Sequence, residues 1–142
     1  MDVTADLDTP HPPERVFAIV EDLERYPAWL DIVPKVVPEG DAAWRVDLRG
    51  RLGPFARSKR LRMVRSRHEP PHAVRFERDE QDGRTHSPWI LDASVVAHGD
   101  GSRLTMHLHY GGGLFGPVLE PLLRDEINRS RPRLLSLLDG DG

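Results

Sequence analysis

The sequence predicts an α+β domain: a curved antiparallel sheet of six to seven strands wrapped around a long C-terminal helix, with two short helices after the first strand. Three observations carry this. Five stretches between residues 44 and 110 read as strands, most of them with alternating apolar and polar side chains, separated by turn residues, as half-buried strands do when they are joined by hairpins. No helical pattern lies between them, which disfavours a doubly wound parallel sheet. Beyond Gly111-Gly112-Gly113 a broad aliphatic stripe at helical spacing runs towards the C-terminus. The 142 residues fit one domain, 1–142. A chain of that length buries roughly 68% of its unfolded surface, enough for a core with some spare interior volume.

The elements follow in order. Val3, Ala5 and Leu7 alternate with Thr4, Asp6 and Asp8, a first strand. Pro12 and Pro13 open a helix, where a missing N–H leaves nothing unpaired. Val16, Phe17, Ile19, Val20 and Leu23 form its apolar stripe. Pro27 ends it, or separates it from a short second helix reaching Trp29-Leu30. Residues 32–40, with Pro34, Pro38 and Gly40, read as an irregular connection. Trp44, Val46 and Leu48 start the next strand, followed by a turn over residues 50–54. Residues 55–67 form a long strand of mixed period. Leu61 and Met63 share one parity with Arg65, whereas Val64 has the other. A bulge reconciles them, at a position the pattern does not fix. Val74 and Phe76 share a face, Asp82-Gly83 signals a hairpin, and residues 86–97 place Trp89, Leu91, Ala93 and Val95 inward. After His98-Gly99-Asp100-Gly101, Leu104, Met106, Leu108 and Tyr110 alternate with Arg103, Thr105, His107 and His109. The last helix carries Val118, Leu119, Leu122, Leu123, Ile127, Leu134, Leu135, Leu137 and Leu138 on its stripe, and Pro132 inside it predicts a kink. Residues 139–142 are expected to fray.

Composition excludes several functions. With 38% hydrophobic and 30% charged residues the chain is ordinary for a globular protein. It has no cysteine, which rules out disulfides, thiolate metal sites and a cysteine nucleophile. A net charge of −3 argues against a generally basic nucleic-acid binder, so DNA is not an expected partner. No apolar run approaches the ~20 residues of a transmembrane helix, and no signal peptide is visible, so a cytoplasmic location is expected. The charge is uneven, however: residues 44–68 hold nine Lys or Arg against one Asp. This basic segment is either a solvated strand face paired with Glu77, Asp79 and Glu80, or a patch for an anionic ligand, an acidic partner, RNA or a membrane surface.

One long helix over the inner face of so wide a sheet leaves a hydrophobic cavity between them. The stretch Pro13-Glu14-Arg15-Val16-Phe17 through Asp22 to Tyr26-Pro27-Ala28-Trp29 resembles the opening of the START-like, or SRPBCC, superfamily, closest to its polyketide cyclase/dehydrase and coenzyme Q-binding branches. The hairpin Gly99-Asp100-Gly101-Ser102-Arg103-Leu104-Thr105, the stretch 111–115 and the terminal helix also match that layout, so the resemblance covers nearly the whole chain. It implies a helix-grip fold with a ligand cavity. It does not imply an enzyme, since the superfamily spans lipid carriers, hormone receptors, aromatic cyclases, ring hydroxylase subunits and quinone-binding proteins.

The residues facing that interior are the candidate ligand contacts. From the strands come Trp44, Leu61, Met63, Arg65 and Phe76, then Trp89, Leu91, Met106, Leu108 and Tyr110. From the helical parts come Trp29, Phe115, Leu119 and Leu122. The three tryptophans read first as core and secondly as walls for a flat ring. An inward Arg65 needs a counter-charge, either a ligand carboxylate or phenolate or else Glu77 or Asp92. Tyr110 reads as a rim aromatic with its hydroxyl in water, or as a hydrogen-bond partner of a ligand oxygen. His11, His68, His72 and His98 fall in expected turns, and His86 starts a strand at a candidate cavity mouth. His107 and His109 share a face with no carboxylate at an evident ligand spacing, so neither a metal nor any other cofactor is expected. No nucleophile motif is present. The glycines at 111–113 lack the Lys-Ser/Thr of a phosphate loop and read as a joint before the last helix.

The leading expectation is a non-catalytic carrier or sensor of a small hydrophobic molecule, such as a lipid, a quinone or an aromatic polyketide-like compound. The alternatives are an aromatase/cyclase using Tyr110, Arg65 and His86, and an electrostatic interaction module built on the basic strands 45–67.

Overall fold

In the computed structural model, which describes residues 1–52, 55–111 and 119–140, the sheet has seven antiparallel strands. These are β1 (Asp2–Thr9), β2 (Lys35–Pro38), β3 (Ala43–Leu52), β4 (Phe55–Glu69), β5 (Ala73–Arg78), β6 (Trp89–His98) and β7 (Gly101–Tyr110). Their spatial order is β1-β7-β6-β5-β4-β3-β2, so the open edges are β1 and the four-residue β2. Helix α1 (Pro13–Val20) and a 3₁₀ helix (Leu23–Ala28) follow β1, and helix α2 (Leu119–Gly140) follows β7. The sheet is curved, and the chain has the fold that its element order predicts.

Several local expectations are corrected. Helix α1 ends at Val20, before Pro27, which sits inside the 3₁₀ helix. That is compatible with its fixed φ, because a helix this short needs few backbone donors. Residues 35–38 are not an irregular connection but an edge strand. Pro38 pairs opposite Trp44 at its end, where a missing donor is tolerated. Strand β3 runs on to Leu52, past the start of the expected turn. Asp82-Gly83 lies in a ten-residue connection, 79–88, rather than in a tight hairpin, and the strand begins at Trp89 rather than His86. By contrast, the Gly99-Asp100 turn is a two-residue hairpin, with Gly99 at φ 57° and His98 paired with Gly101. A Cβ at Gly101 would collide with the Thr9 carbonyl, so β1 packs against this turn only because no side chain is there.

The mixed period of β4 has a single cause. Its register against β5 shifts between Arg65 and Arg67, leaving Ser66 as the extra residue. Leu61, Met63 and Arg65 share one face before it. After it, His68 pairs with Val74 and joins the inner face. His68 is therefore a strand residue, not a turn residue. It stacks on Phe17 at 5.9 Å and meets the Glu21 carboxylate at 2.7 Å. Helix α1 buries Val16, Phe17, Ile19 and Val20 and packs on β6 and β7. Arg15 donates to the Leu138 carbonyl at the C-terminal end of α2, where helix carbonyls lack internal partners. Nearby, His11 meets Asp139 at 2.7 Å rather than lying free in water.

Four arginines of the basic segment are paired with carboxylates within the molecule. Arg45 reaches Glu39 and Glu80, Arg60 pairs with Asp47, and Arg67 pairs with Glu69. Arg62, with its side chain only 11% exposed, reaches Glu39. Glu80 is the hub, accepting from the Arg62 backbone N–H at 2.9 Å, Arg78 Nε at 3.0 Å and Arg45 at 3.0 Å. Burial pushes its carboxyl up, but that backbone donor and the two guanidiniums outweigh burial and hold it below the ordinary carboxylate value.

Glu80 has a lower pKa folded than unfolded, so its contribution is fully present above the unfolded value near 4.5 and is lost as pH falls through the folded value. Glu80→Gln is expected to cost about 2 kcal/mol at neutral pH. The variant should also lose less stability than the parent below pH 4.5, as measured by denaturant unfolding at a series of pH values. Tyr26 is 1% exposed and its hydroxyl donates to the Val20 carbonyl at 2.8 Å. Tyr26→Phe strands that carbonyl and should cost about 1–2 kcal/mol in the same assay.

Candidate ligand-binding site

Between the inner face of the sheet and α2 lies an apolar cavity of about 190 Å³. The sheet supplies its floor: Val3, Ala5 and Leu7 of β1, Val46 and Leu48 of β3, Leu61 and Met63 of β4, Trp89 and Leu91 of β6, and Leu104, Met106 and Leu108 of β7. Strict alternation along each strand places these on one face. The 3₁₀ helix and the segment after it give one wall, with Tyr26, Trp29, Ile32 and Val33. Helix α2 gives the roof, with Leu123, Glu126, Ile127, Ser130 and Leu134.

β5 contributes nothing to the lining among the described residues. Its Phe76 packs edge-on against Trp44 at 5.6 Å and Tyr26 at 6.3 Å, filling that part of the interior.

Helix α2 is anchored over the cavity by a polar contact that its apolar stripe does not reveal. Glu126 is 3% exposed, and its Oε1 accepts from the backbone N–H of Asp31 at 2.6 Å and of Ile32 at 3.3 Å. Its Oε2 accepts from Arg129 at 2.8 Å, and Arg133 pairs with Asp31 at 2.7 Å. A buried carboxylate is tolerable here because both oxygens are satisfied and a guanidinium balances the charge. Ser130, one turn on and 5% exposed, donates to the Ile127 carbonyl. Glu126 and Ser130 thus occupy a face that aliphatic periodicity assigns to apolar side chains alone. A carboxylate at helical spacing from Leu123 and Leu134 is the signal that could have found Glu126.

Of the candidate contacts, Trp29, Leu61, Met63, Trp89, Leu91, Met106 and Leu108 line the cavity. Trp44, Arg65, Phe76 and Tyr110 do not. Trp44 and Phe76 face inward but are consumed by packing on each other. Arg65 needs neither a ligand anion nor Glu77 or Asp92. Its guanidinium lies over the Trp44 ring at 5.7 Å and reaches the Glu21 carbonyl at 3.5 Å, while Asp92 pairs with Arg75. Tyr110 is buried rather than at a wet rim; it packs on Trp89 at 5.2 Å and its hydroxyl contacts the Met1 sulfur at 2.9 Å. His86 lies off the cavity wall, against Asp82 at 2.8 Å. Phe115 lies outside the described residues. Leu119 and Leu122 fall within α2, but their side chains are outside the description.

The sequence spacing also concealed a carboxylate beside the histidine pair. Strand pairing brings Asp2 opposite His109, and its Oδ1 lies 2.9 Å from His107 Nε2 and 3.0 Å from His109 Nδ1. The hydrogen bond from His109 is the larger of the two imidazole effects that hold the Asp2 carboxyl below its ordinary value. Among the described residues no cluster of three or more such side chains could hold a metal ion.

The fold has close counterparts among solved structures. A START superfamily protein from Mycobacterium smegmatis superposes with a TM-score of 0.72 at 15% identity, covering 99% of each chain. An AHSA1 protein from Silicibacter pomeroyi gives 0.65 at 18% identity over 100% of each chain. A protein from Thermus thermophilus gives 0.63 at 21% identity, covering 99% of this chain and 95% of its own. At such identities the likeness is one of fold. No curated protein matches in sequence. Residues 1–136, however, match the family model described as polyketide cyclase / dehydrase and lipid transport, and with its sheet, its overlying helix and the cavity between them the chain belongs to that family.

Proposed function

We propose that this protein binds a small hydrophobic molecule in the cavity between its sheet and α2, as a carrier or sensor. The observation that carries this reading is the apolar interior space itself. A protein interior is ordinarily packed to crystal density, and an unfilled space loses the dispersion contacts of every atom on its wall. Its retention under an anchored helix supports a role for a guest. The family's description includes lipid transport, which supports the same class of ligand. The volume of about 190 Å³ is below the roughly 300–1,000 Å³ of drug-sized sites and suits a compact ligand of one or two rings. The residues that offered themselves for cyclase chemistry, Tyr110, Arg65 and His86, all sit off the cavity wall, and the arginines of the basic strands described above hold carboxylates of the protein itself, so neither alternative gains support from geometry.

Titration with the neutral two-ring fluorescent probe 2-naphthol is expected to saturate at one site per chain. Met106→Trp and, separately, Leu108→Phe place bulk inside the cavity and should weaken that binding at least about tenfold. Their melting temperatures should be unchanged or raised, because filling a void restores lost contacts. Absence of saturable binding, or full binding by both stably folded variants, overturns the reading.

A further inference from the structure

We infer that the guest of this cavity is a compact carboxylic acid, whose apolar body fills the cavity while its carboxylate is held at the rim by Arg131. The inference rests on the cavity being a binding site and adds the charge of the molecule it takes. Arg131 lines the cavity from α2, together with Ile127 and Leu134. Residues three and four apart share a helix face, so these side chains form one strip of the roof. Arg131 is half-buried. An arginine so placed lays its hydrocarbon stem along apolar surface and keeps its guanidinium where water reaches it. Its one hydrogen bond among the described residues runs from Nη1 to the side-chain oxygen of Asn128 at 3.1 Å. Asn128 is neutral, and no carboxylate among the described residues forms an ion pair with Arg131. Its neighbours along the helix are committed: Arg129 holds Asp125 and Glu126, and Arg133 holds Asp31.

The cavity reaches the surface on this side of the helix. Glu126 points to residues 31 and 32, and that segment is tied to β3 where the Arg49 N–H donates to the Ile32 carbonyl at 2.8 Å. Arg131 lies five residues further on, about 140° round the helix. Its flank is therefore turned away from β3 and towards β1, at the opposite edge of the sheet, against which α2 packs. There the wall includes half-buried Ala5 and Leu7 and exposed Asp6. Both acidic residues of the wall are engaged elsewhere. Glu126 is balanced by Arg129 and two backbone N–H groups. The Asp6 carboxylate follows strand alternation to the outer face, where Thr105 donates to it at 2.7 Å. An ionised head has no place among the apolar side chains inside. At the rim it keeps part of its hydration and gains a guanidinium fork that matches its two oxygens. A neutral head leaves that charge unanswered, and a cationic one is repelled by it.

The test compares 2-naphthoate with 2-naphthamide, which share a shape and differ in charge at neutral pH. Binding to the intact protein is measured by calorimetry in low and in high salt. In low salt 2-naphthoate is expected to bind at least about threefold more tightly, a modest margin because an ion pair at a wet rim is weak. High salt should shrink that margin. Arg131→Gln should bring the ratio of the two affinities to one or below, and Arg131→Lys should keep it above one. Arg133→Gln removes the same charge from the same helix away from the cavity wall and should keep the parent's ratio. Equal or weaker binding of 2-naphthoate by the parent overturns the anionic head, and so does a ratio that Arg131→Gln leaves unchanged or that Arg133→Gln lowers as much. In each of those outcomes saturable binding of 2-naphthamide leaves the cavity reading standing. Failure of both compounds to saturate overturns both.

Discussion

The constraint on which this structure depends is a mismatch of widths. A seven-stranded antiparallel sheet presents one continuous apolar face, and a single helix is the main element laid across it. Helices cover a strip about 10 Å wide, whereas seven strands spaced about 4.8 Å apart span far more. The sheet therefore curves, α1 and the 3₁₀ helix cover part of its face, and aromatic side chains fill what they can. Phe76, Trp44 and Tyr26 pack one region solid. The region beneath α2 stays open. The cavity follows from the number of strands and the number of helices, and its lining follows from strand parity.

The sequence made the architecture legible because its strongest signals are local. The alternation from Leu104 to Tyr110 and the Gly99-Asp100 turn fix the last hairpin without reference to anything distant. Even the bulge was visible as a conflict between Leu61 and Val64, although only pairing with β5 locates it at Ser66. Strand β2 was hidden for a physical reason. It is four residues long, lies at an edge and contains Pro38, so its strand character comes from β3 rather than from its own composition. The site was half legible. Parity says which strand side chains face inward, and Met63, Leu91 and Leu108 do line the cavity. It cannot say which inward side chains meet empty space and which meet each other, and this is where Trp44 and Phe76 part from Trp89. Nor does a one-dimensional pattern reveal that the indole donors of Trp29 and Trp89 lack acceptors. That is a property of the assembled interior.

Polar groups play two different parts here. On the outer face, Glu80 gathers Arg45, Arg62 and Arg78 into a mutually satisfied cluster, and Arg60 and Arg67 are held by carboxylates of their own. Under α2, Glu126 does what aliphatic contacts cannot. Apolar packing is non-directional and would let the helix slide or roll over the sheet. Two backbone donors at 31–32 and a guanidinium at 129 fix its position along its own axis. The Arg15 contact with the Leu138 carbonyl does the same at the far end.

The short edge strand β2 has a bearing on how the molecule behaves in a crowd. An open sheet offers its border to any other chain that can complete the ladder, and a long flat border invites endless fibrous stacking. Here one of the two borders, β2, is only four residues long, starts with Lys35 and ends with Pro38, which has no hydrogen to lend. Fibril growth through this border is thereby discouraged.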